Sequence, residues 1–255
     1  MRVGLAWNDG TPPPQLAGKL TDRFSIVDHD FDAACRGTRS PVLLVAFAAQ
    51  GPGMQQWGMA AVGPLRAAGV ALDVLYLVDP SNSYYLQDPT RQWRGTDHYA
   101  ALVRSHARHY AHVLMVGSSM GATAALTHAH LAHSALAFGP RVDLHMTHGA
   151  YVPDAAKAAC RAGVVESLRR VHARGGRAAV HVGSGNAVDM MQAGLVRGMP
   201  SVHVVEHDTF HHNVPMFLER EAKLVPMLKA VLLALLRVDE AAVGGAAADA
   251  EKCLA

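Results

Sequence analysis

Residues 113–121 read Val113-Leu-Met-Val-Gly-Ser-Ser-Met-Gly121 and run on into Ala122-Thr-Ala-Ala-Leu126. Four apolar residues lead into glycine and serine and then into small, helix-forming residues, which predicts a strand, a sharp turn and a helix with Ser119 at the tip. The Gly-x-Ser-x-Gly spacing has a steric reason. A serine on a strained strand-to-helix turn tolerates no side chain two positions away on either side, and Gly117 and Gly121 carry none. The pentapeptide alone is common; the strand before it and the helix after it supply the context of a nucleophile elbow. A serine hydroxyl is a poor nucleophile until a neighbouring base takes its proton, so the elbow implies a histidine brought in from elsewhere in the chain.

Working outward, short apolar runs recur at 42–47, 72–78, 113–116, 134–138, 177–182 and 202–205, and helical stretches lie near 54–69, 97–111, 119–133, 154–174, 187–197 and 214–237. Near-continuous apolar strands alternating with helices predict an α/β fold, a mostly parallel central sheet covered by helices on both faces. Arg23-Phe-Ser-Ile-Val27 and the first seven residues are candidates for added edge strands. The interval between the runs at 134–138 and 177–182 holds one helix and its loops, which predicts little or no cap domain. A single domain over 1–238 follows, with a flexible tail over 239–255, where Ala, Gly and acidic residues lack apolar periodicity.

Composition narrows the partners. Lys+Arg 23 against Asp+Glu 21 gives a net charge of +2 with no basic run, so no nucleic-acid or polybasic membrane surface is expected. The apolar stretch Ala230–Leu236 is bounded by Pro226, Lys229 and Arg237, too short to span a membrane. Cys35, Cys160 and Cys253 are odd in number and far apart, which fits a reducing, cytoplasmic setting, and the short apolar start Arg2–Trp7 is not expected to act as a secretion signal. His128, His130 and His133, or His207 and His211 at i, i+4, have spacings that zinc sites use. However, His128 and His130 cannot share a helix face and no His-Glu-x-x-His occurs, so neither a metal nor another cofactor is expected.

In an open α/β sheet the chemistry gathers just after the strands. The loop after the last run, Glu206-His-Asp-Thr-Phe-His-His-Asn-Val-Pro215, offers His207, His211 and His212 as the base. His212 is favoured because Asn213 is a good N-cap and Val214-Pro215 suits a first helical turn; His211, one residue away, competes. Asp189, after the run at 177–182, is the leading acid to orient the imidazole, with Asp143 the alternative one strand earlier. An oxyanion hole needs two backbone N–H groups, which Met120 and Ala48 would supply, with Ala49 as the fallback in the small-residue segment Ala48-Ala-Gln-Gly-Pro-Gly53. Asp79-Pro-Ser-Asn-Ser-Tyr-Tyr85 is first a turn, tied by Asp79, although its tyrosines are candidates to line a cleft.

Taken together, Val42–Phe47, Leu75-Tyr-Leu-Val-Asp-Pro80, Gly117–Gly121, Ala135-Leu-Ala-Phe-Gly-Pro140 and His212-Asn-Val214 resemble the α/β-hydrolase superfamily over about residues 40–220. The chain also resembles small hydrolase-like proteins found beside bacterial polysaccharide and glycosyltransferase genes, which share the strand-Asp loop, the Gly-x-Ser-Met-Gly elbow and the strand-Phe-x-Pro segment. The order Ser119, Asp189, His212 is the triad order of that superfamily. Ala122, where a third glycine is usual, and an oxyanion segment without His-Gly-Gly-Gly speak against a dedicated lipase. The resemblance implies an esterase-like serine hydrolase acting on a small-molecule or glycan ester. Its alternatives are an acyltransferase with the same triad and a catalytically silent binding module.

Overall fold

A computed structural model describes residues 20–22, 25–28, 40–50, 56–79, 81–147 and 152–243. Eight strands form one sheet: β1 (Leu20–Asp22), β2 (Ser25–Asp28), β3 (Val42–Phe47), β4 (Leu72–Leu77), β5 (His112–Ser118), β6 (Ser134–Phe138), β7 (Arg177–Gly183) and β8 (Val202–His207), in the order β1-β2-β4-β3-β5-β6-β7-β8. The six strands from β4 to β8 are mutually parallel, whereas β1 and β2 pair antiparallel and β2 adds to the outer edge of β4. The antiparallel edge sits where residues 23–27 suggested a strand; the first seven residues lie outside the described ones.

β3 to β7 are buried on both faces, which explains their unbroken apolar runs, and the pleat divides each of these runs between two cores, whereas the edge strand β8 is only partly buried. From β3, Leu43, Val45 and Phe47 enter a core with Tyr99, Val103, Val164 and Leu168. Val42, Leu44 and Ala46 enter another with Leu65, Leu218, Leu228 and Leu232. The first face carries α2 (Gly95–Ala107), α3 (Met120–His128), α4 (Asp154–Ala173) and α5 (Ala187–Gly194); the second carries α1 (Gln56–Ala67), α6 (Val214–Arg220) and α7 (Leu224–Val243). Among the described residues β6 and β7 are joined only by a 3-10 turn, Leu144–Met146, and α4.

The single helix expected over 214–237 is two. Pro226 has no N–H to offer the carbonyl of residue 222, and its ring crowds that carbonyl, so a continuous helix here is disfavoured. Instead Ala222 turns left-handed at φ 55°, and Lys223 N–H closes on Leu218 O at 2.8 Å, a Schellman-type end to α6. α7 continues to Val243, so residues 239–243, expected to begin the tail, extend the helix. The rest of that tail lies outside the described residues.

The connections set the position of the site. The chain leaves β3 for β4 on one side and returns to β5 on the other, so the strand order reverses between β3 and β5. Open α/β sheets form their binding crevice at such a reversal, beyond the carboxyl ends of the strands. Ala48 follows β3 there, and Ser119 follows β5.

Candidate active site

Ser119 is the turn residue between β5 and α3, with φ 54° and ψ −116°. A non-glycine residue in that region is strained, and it persists only where its surroundings over-determine it. Here the surroundings do so. A Cβ on Gly117 would lie 2.2 Å from Gly121 O, and one on Gly121 would lie 2.2 Å from Phe47 O and 2.7 Å from Ala48 O. Ser119 N–H donates to Phe138 O at 2.8 Å, and the Ser119 carbonyl accepts the N–H of Thr123 at 3.1 Å. Within a run that is otherwise buried from His112 to Ala129, Ser119 alone is partly exposed.

The candidate acid and the candidate base meet at the next strand ends. Asn186 caps α5 by accepting from Asp189 N–H, which fixes Asp189 on the first turn with its side chain fully buried. One turn on, the Gln192 amide accepts from Asp143 N–H at 2.8 Å and donates to Asp143 O at 2.9 Å, pinning α5 to the segment after β6. Both Asp189 oxygens then lie against His212 Nδ1, at 3.0 and 2.9 Å. Asn213 caps α6 by accepting from Met216 N–H, so the residue before the cap is held at the helix start. The His212 ring packs on Gly139, where a Cβ would come 2.9 Å from both Cε1 and Nδ1, and Gly139 is itself left-handed at φ 59°. Since Ser119 N–H is bonded to Phe138 O, nucleophile and imidazole abut the same Phe138–Gly139 peptide.

The competitors are engaged elsewhere. His211 places its ring on Phe210, with centroids 4.4 Å apart, and its N–H on Thr209 Oγ1. His207 stacks on His181 with Nε2 3.0 Å from His181 Nδ1, and burial holds both rings below the usual histidine range, His181 at about 3. Asp143 accepts from His145 N–H and pairs with Arg161 at 3.0 Å. His128 is buried on the Phe47 ring, His130, in the 3-10 turn that follows α3, meets Ser167, and His133, beyond that turn, accepts Val113 N–H at Nδ1, so the three histidines face different partners. Burial pushes the Cys160 thiol up to about 12, which leaves it inert as a nucleophile.

At the oxyanion position the geometry separates Ala48 from Ala49. Ala48 N–H donates to Leu77 O at 2.9 Å, continuing the β3–β4 ladder, and is therefore committed. The Ala49 N–H has no acceptor among the described residues although Ala49 is buried. Met120 opens α3, where no intrahelical carbonyl can reach its N–H. The tyrosines of the loop after β4 are buried rather than lining a cleft, and Asp79 ties that loop.

Sequence reasoning missed Arg141. Its backbone is held by Thr123 Oγ1, which accepts Arg141 N–H at 2.9 Å; its Nη1 bonds Asp189 Oδ1, and its Nη2 lies 3.3 Å from His212 Nδ1. The signal was its place just after β6, the same rule that found Asp189. Among the described residues no helix is long and apolar enough to cross a membrane.

No family model and no curated protein matches the chain. Solved structures do. Est1E from Butyrivibrio proteoclasticus aligns over 82% of this chain and 96% of its own at 11% identity, with a TM-score of 0.55. A 2,6-dihydroxy-pseudo-oxynicotine hydrolase aligns over 82% of this chain and 64% of its own at 12% identity, TM-score 0.57. A fluorophosphonate-binding serine hydrolase of Staphylococcus aureus aligns over 80% and 90% at 11% identity, TM-score 0.50. With the strand order, the elbow and the crevice already described, these likenesses identify the chain's architecture as the α/β-hydrolase fold.

Proposed function

We propose that the chain is a serine hydrolase that cleaves an ester or related acyl bond of a small molecule or glycan through an acyl-enzyme. The observation that carries this reading is the convergence of a strained, partly exposed Ser119 and an Asp189-held His212 on one peptide, Phe138–Gly139. Ser119 Oγ attacks the acyl carbon while His212 Nε2 takes its proton; Asp189, on Nδ1, fixes the tautomer and stabilises the imidazolium that forms. The charge on the tetrahedral oxygen falls to the N–H groups of Met120 and Ala49. His212 then protonates the leaving alcohol, and in the second half it activates water to release the acyl group. Solved structures with this fold bear names of carboxylesterases and serine hydrolases, which agrees with the reading.

One contact favours a second reading, a catalytically silent module. A guanidinium N–H directed at Nδ1 asks for a lone pair there, which would put the imidazole proton on Nε2, where a base needs its own lone pair. A fluorophosphonate probe separates the two. Covalent labelling of the intact protein, abolished in Ser119→Ala, supports catalysis; a folded wild-type chain that stays unlabelled leaves the silent module.

A further inference from the structure

The most strained segment outside the elbow is the loop after β4. Asn82, Tyr84 and Tyr85 have φ of 51°, 64° and 62°. Left-handed backbone is uncommon for bulky L-residues, and two tyrosines in succession make a clear outlier. The loop is wound around one carboxylate. Asp79, 3% exposed, accepts from the N–H and Oγ of Ser81, the N–H and Oγ of Ser83, and the N–H of Tyr85, all within 2.6–3.1 Å. Gly95 leaves room for the strained backbone, since a Cβ there would sit 2.3 Å from Tyr85 O.

This construction delivers a hydroxyl. The Tyr85 ring is fixed edge-on between Phe47, 5.2 Å away, and Tyr99, 4.7 Å away. Its Oη donates, shared, to Ala48 O at 2.9 Å and Leu77 O at 3.0 Å. Burial keeps the phenol protonated, so it remains a donor. Ala48 is thereby held at both ends, its N–H on Leu77 O and its C=O under Tyr85, and the same carbonyl lies against Gly121 of the elbow helix.

In a trans peptide the N–H points opposite to the C=O. Fixing Ala48 O therefore fixes the direction of the Ala49 N–H. We propose that Tyr85, carried by the Asp79-wound loop, is a positioning residue for the oxyanion hole, holding the Ala48–Ala49 peptide so that the Ala49 N–H stays aimed at the developing charge. The role rests on the serine-hydrolase reading above. Strain of this kind persists where function selects it, and here it terminates on one side of the catalytic crevice. Tyr85 touches no substrate; it acts through Ala49.

The test compares Tyr85→Phe with Tyr99→Phe. Each removes one hydroxyl from the same aromatic cluster, but the Tyr99 hydroxyl donates to Val78 O. Both variants should lose similar thermal stability. With a small activated ester, Tyr85→Phe should lower kcat about tenfold or more with KM little changed, a fraction of the roughly 10²–10³ lost when an oxyanion donor is removed outright. Fluorophosphonate labelling should slow in parallel, and Tyr99→Phe should keep wild-type kcat. Wild-type kcat and labelling rate in folded Tyr85→Phe overturn the positioning role alone. Equal losses in both variants also overturn it, since they mark a packing effect. A wild-type chain that is folded but unlabelled overturns the hydrolase reading and this role with it.

Discussion

The Ser119 turn and the His212 loop sit across one crevice and are built in opposite ways. Around Ser119 the backbone is fixed by hard sterics: two glycines whose added Cβ atoms would strike backbone at 2.2 Å, with every residue from Met120 to Ala129 buried. Around His212 the fixing is by polar contacts that span the sequence, to Asp189 and Arg141, and the residues on either side, His211 and Asn213, are half-exposed. Steric fixing is written into adjacent residues; polar fixing depends on which distant side chains arrive. The two regions should therefore fail differently when mutated.

The sharpest contrast is kinetic. Ser119→Ala and His212→Ala should each lower kcat/KM toward an activated ester by about 10⁴ or more, and the double variant should cost little beyond either single one, because groups acting as a unit are non-additive. His211→Ala should stay within about threefold. Collapse of activity in His211→Ala with retention in His212→Ala would transfer the base to the neighbouring residue and undo the comparison.

Next in size is the backbone. Gly121→Ala forces a Cβ into Phe47 O and should destabilise by about 3 kcal/mol or prevent folding, the high end of overpacking costs. Gly185→Ala meets Phe210 Cβ, Cα and N at 3.2, 3.3 and 3.4 Å, contacts that a shift of a few tenths of an ångström relieves, so its cost should be about 1 kcal/mol. Urea unfolding of the two variants measures the difference; equal costs would mean that the His212 loop is as rigid as the Ser119 turn.

This contrast also explains what the sequence made legible. Gly117, Ser119 and Gly121 are adjacent, so their steric logic could be read without a fold, and the apolar runs forecast the parallel sheet because both its faces are covered. Asp189 and His212 were placed by their position after strands, a rule that ranks candidates but cannot tell His212 from His211, whose directions differ by one residue of loop twist. Ala48 was preferred with Ala49 as the fallback, a ranking that position alone supports weakly, and the ladder bond to Leu77 engages the preferred one. Arg141 stood just after β6, where the same rule points, but nothing local named its partner, which lies 48 positions away.

Arg141 is the intermediate case. Its pair with Asp189 is nearly enclosed, with side chains 14% and 0% exposed, so Arg141→Gln should cost about 2 kcal/mol, less than the roughly 3–5 of a fully broken buried pair because His212 still serves the carboxylate. Labelling by the fluorophosphonate probe should remain within about tenfold of wild type. A large gain in labelling rate would instead mean that the guanidinium restrains His212, the basis of the silent-module reading.

The smallest effects concern two buried histidines, one from each side. His128, on the helix after Ser119, is fully buried with no hydrogen-bond partner on either ring nitrogen among the described residues, whereas His181, in β7, shares a contact with His207. Burial holds both at about 3 against an ordinary 6.5. The native state thus keeps them neutral while the unfolded chain takes up protons below pH 6.5, so stability is intact above that pH and is lost as pH falls toward 3. Each contributes at most about 1.4 kcal/mol per pH unit in that window. His128→Leu removes a titration and two unpaired nitrogens together, so it should hold or raise stability at pH 7 and flatten the acid slope by about one proton. His181→Leu should flatten the slope similarly with no gain at pH 7, because it withdraws a partner from His207. Urea unfolding at pH 7 and pH 5 reads both. An unchanged slope in His128→Leu would mean that this ring titrates in the native state, and that the elbow side admits water its packing is argued to exclude.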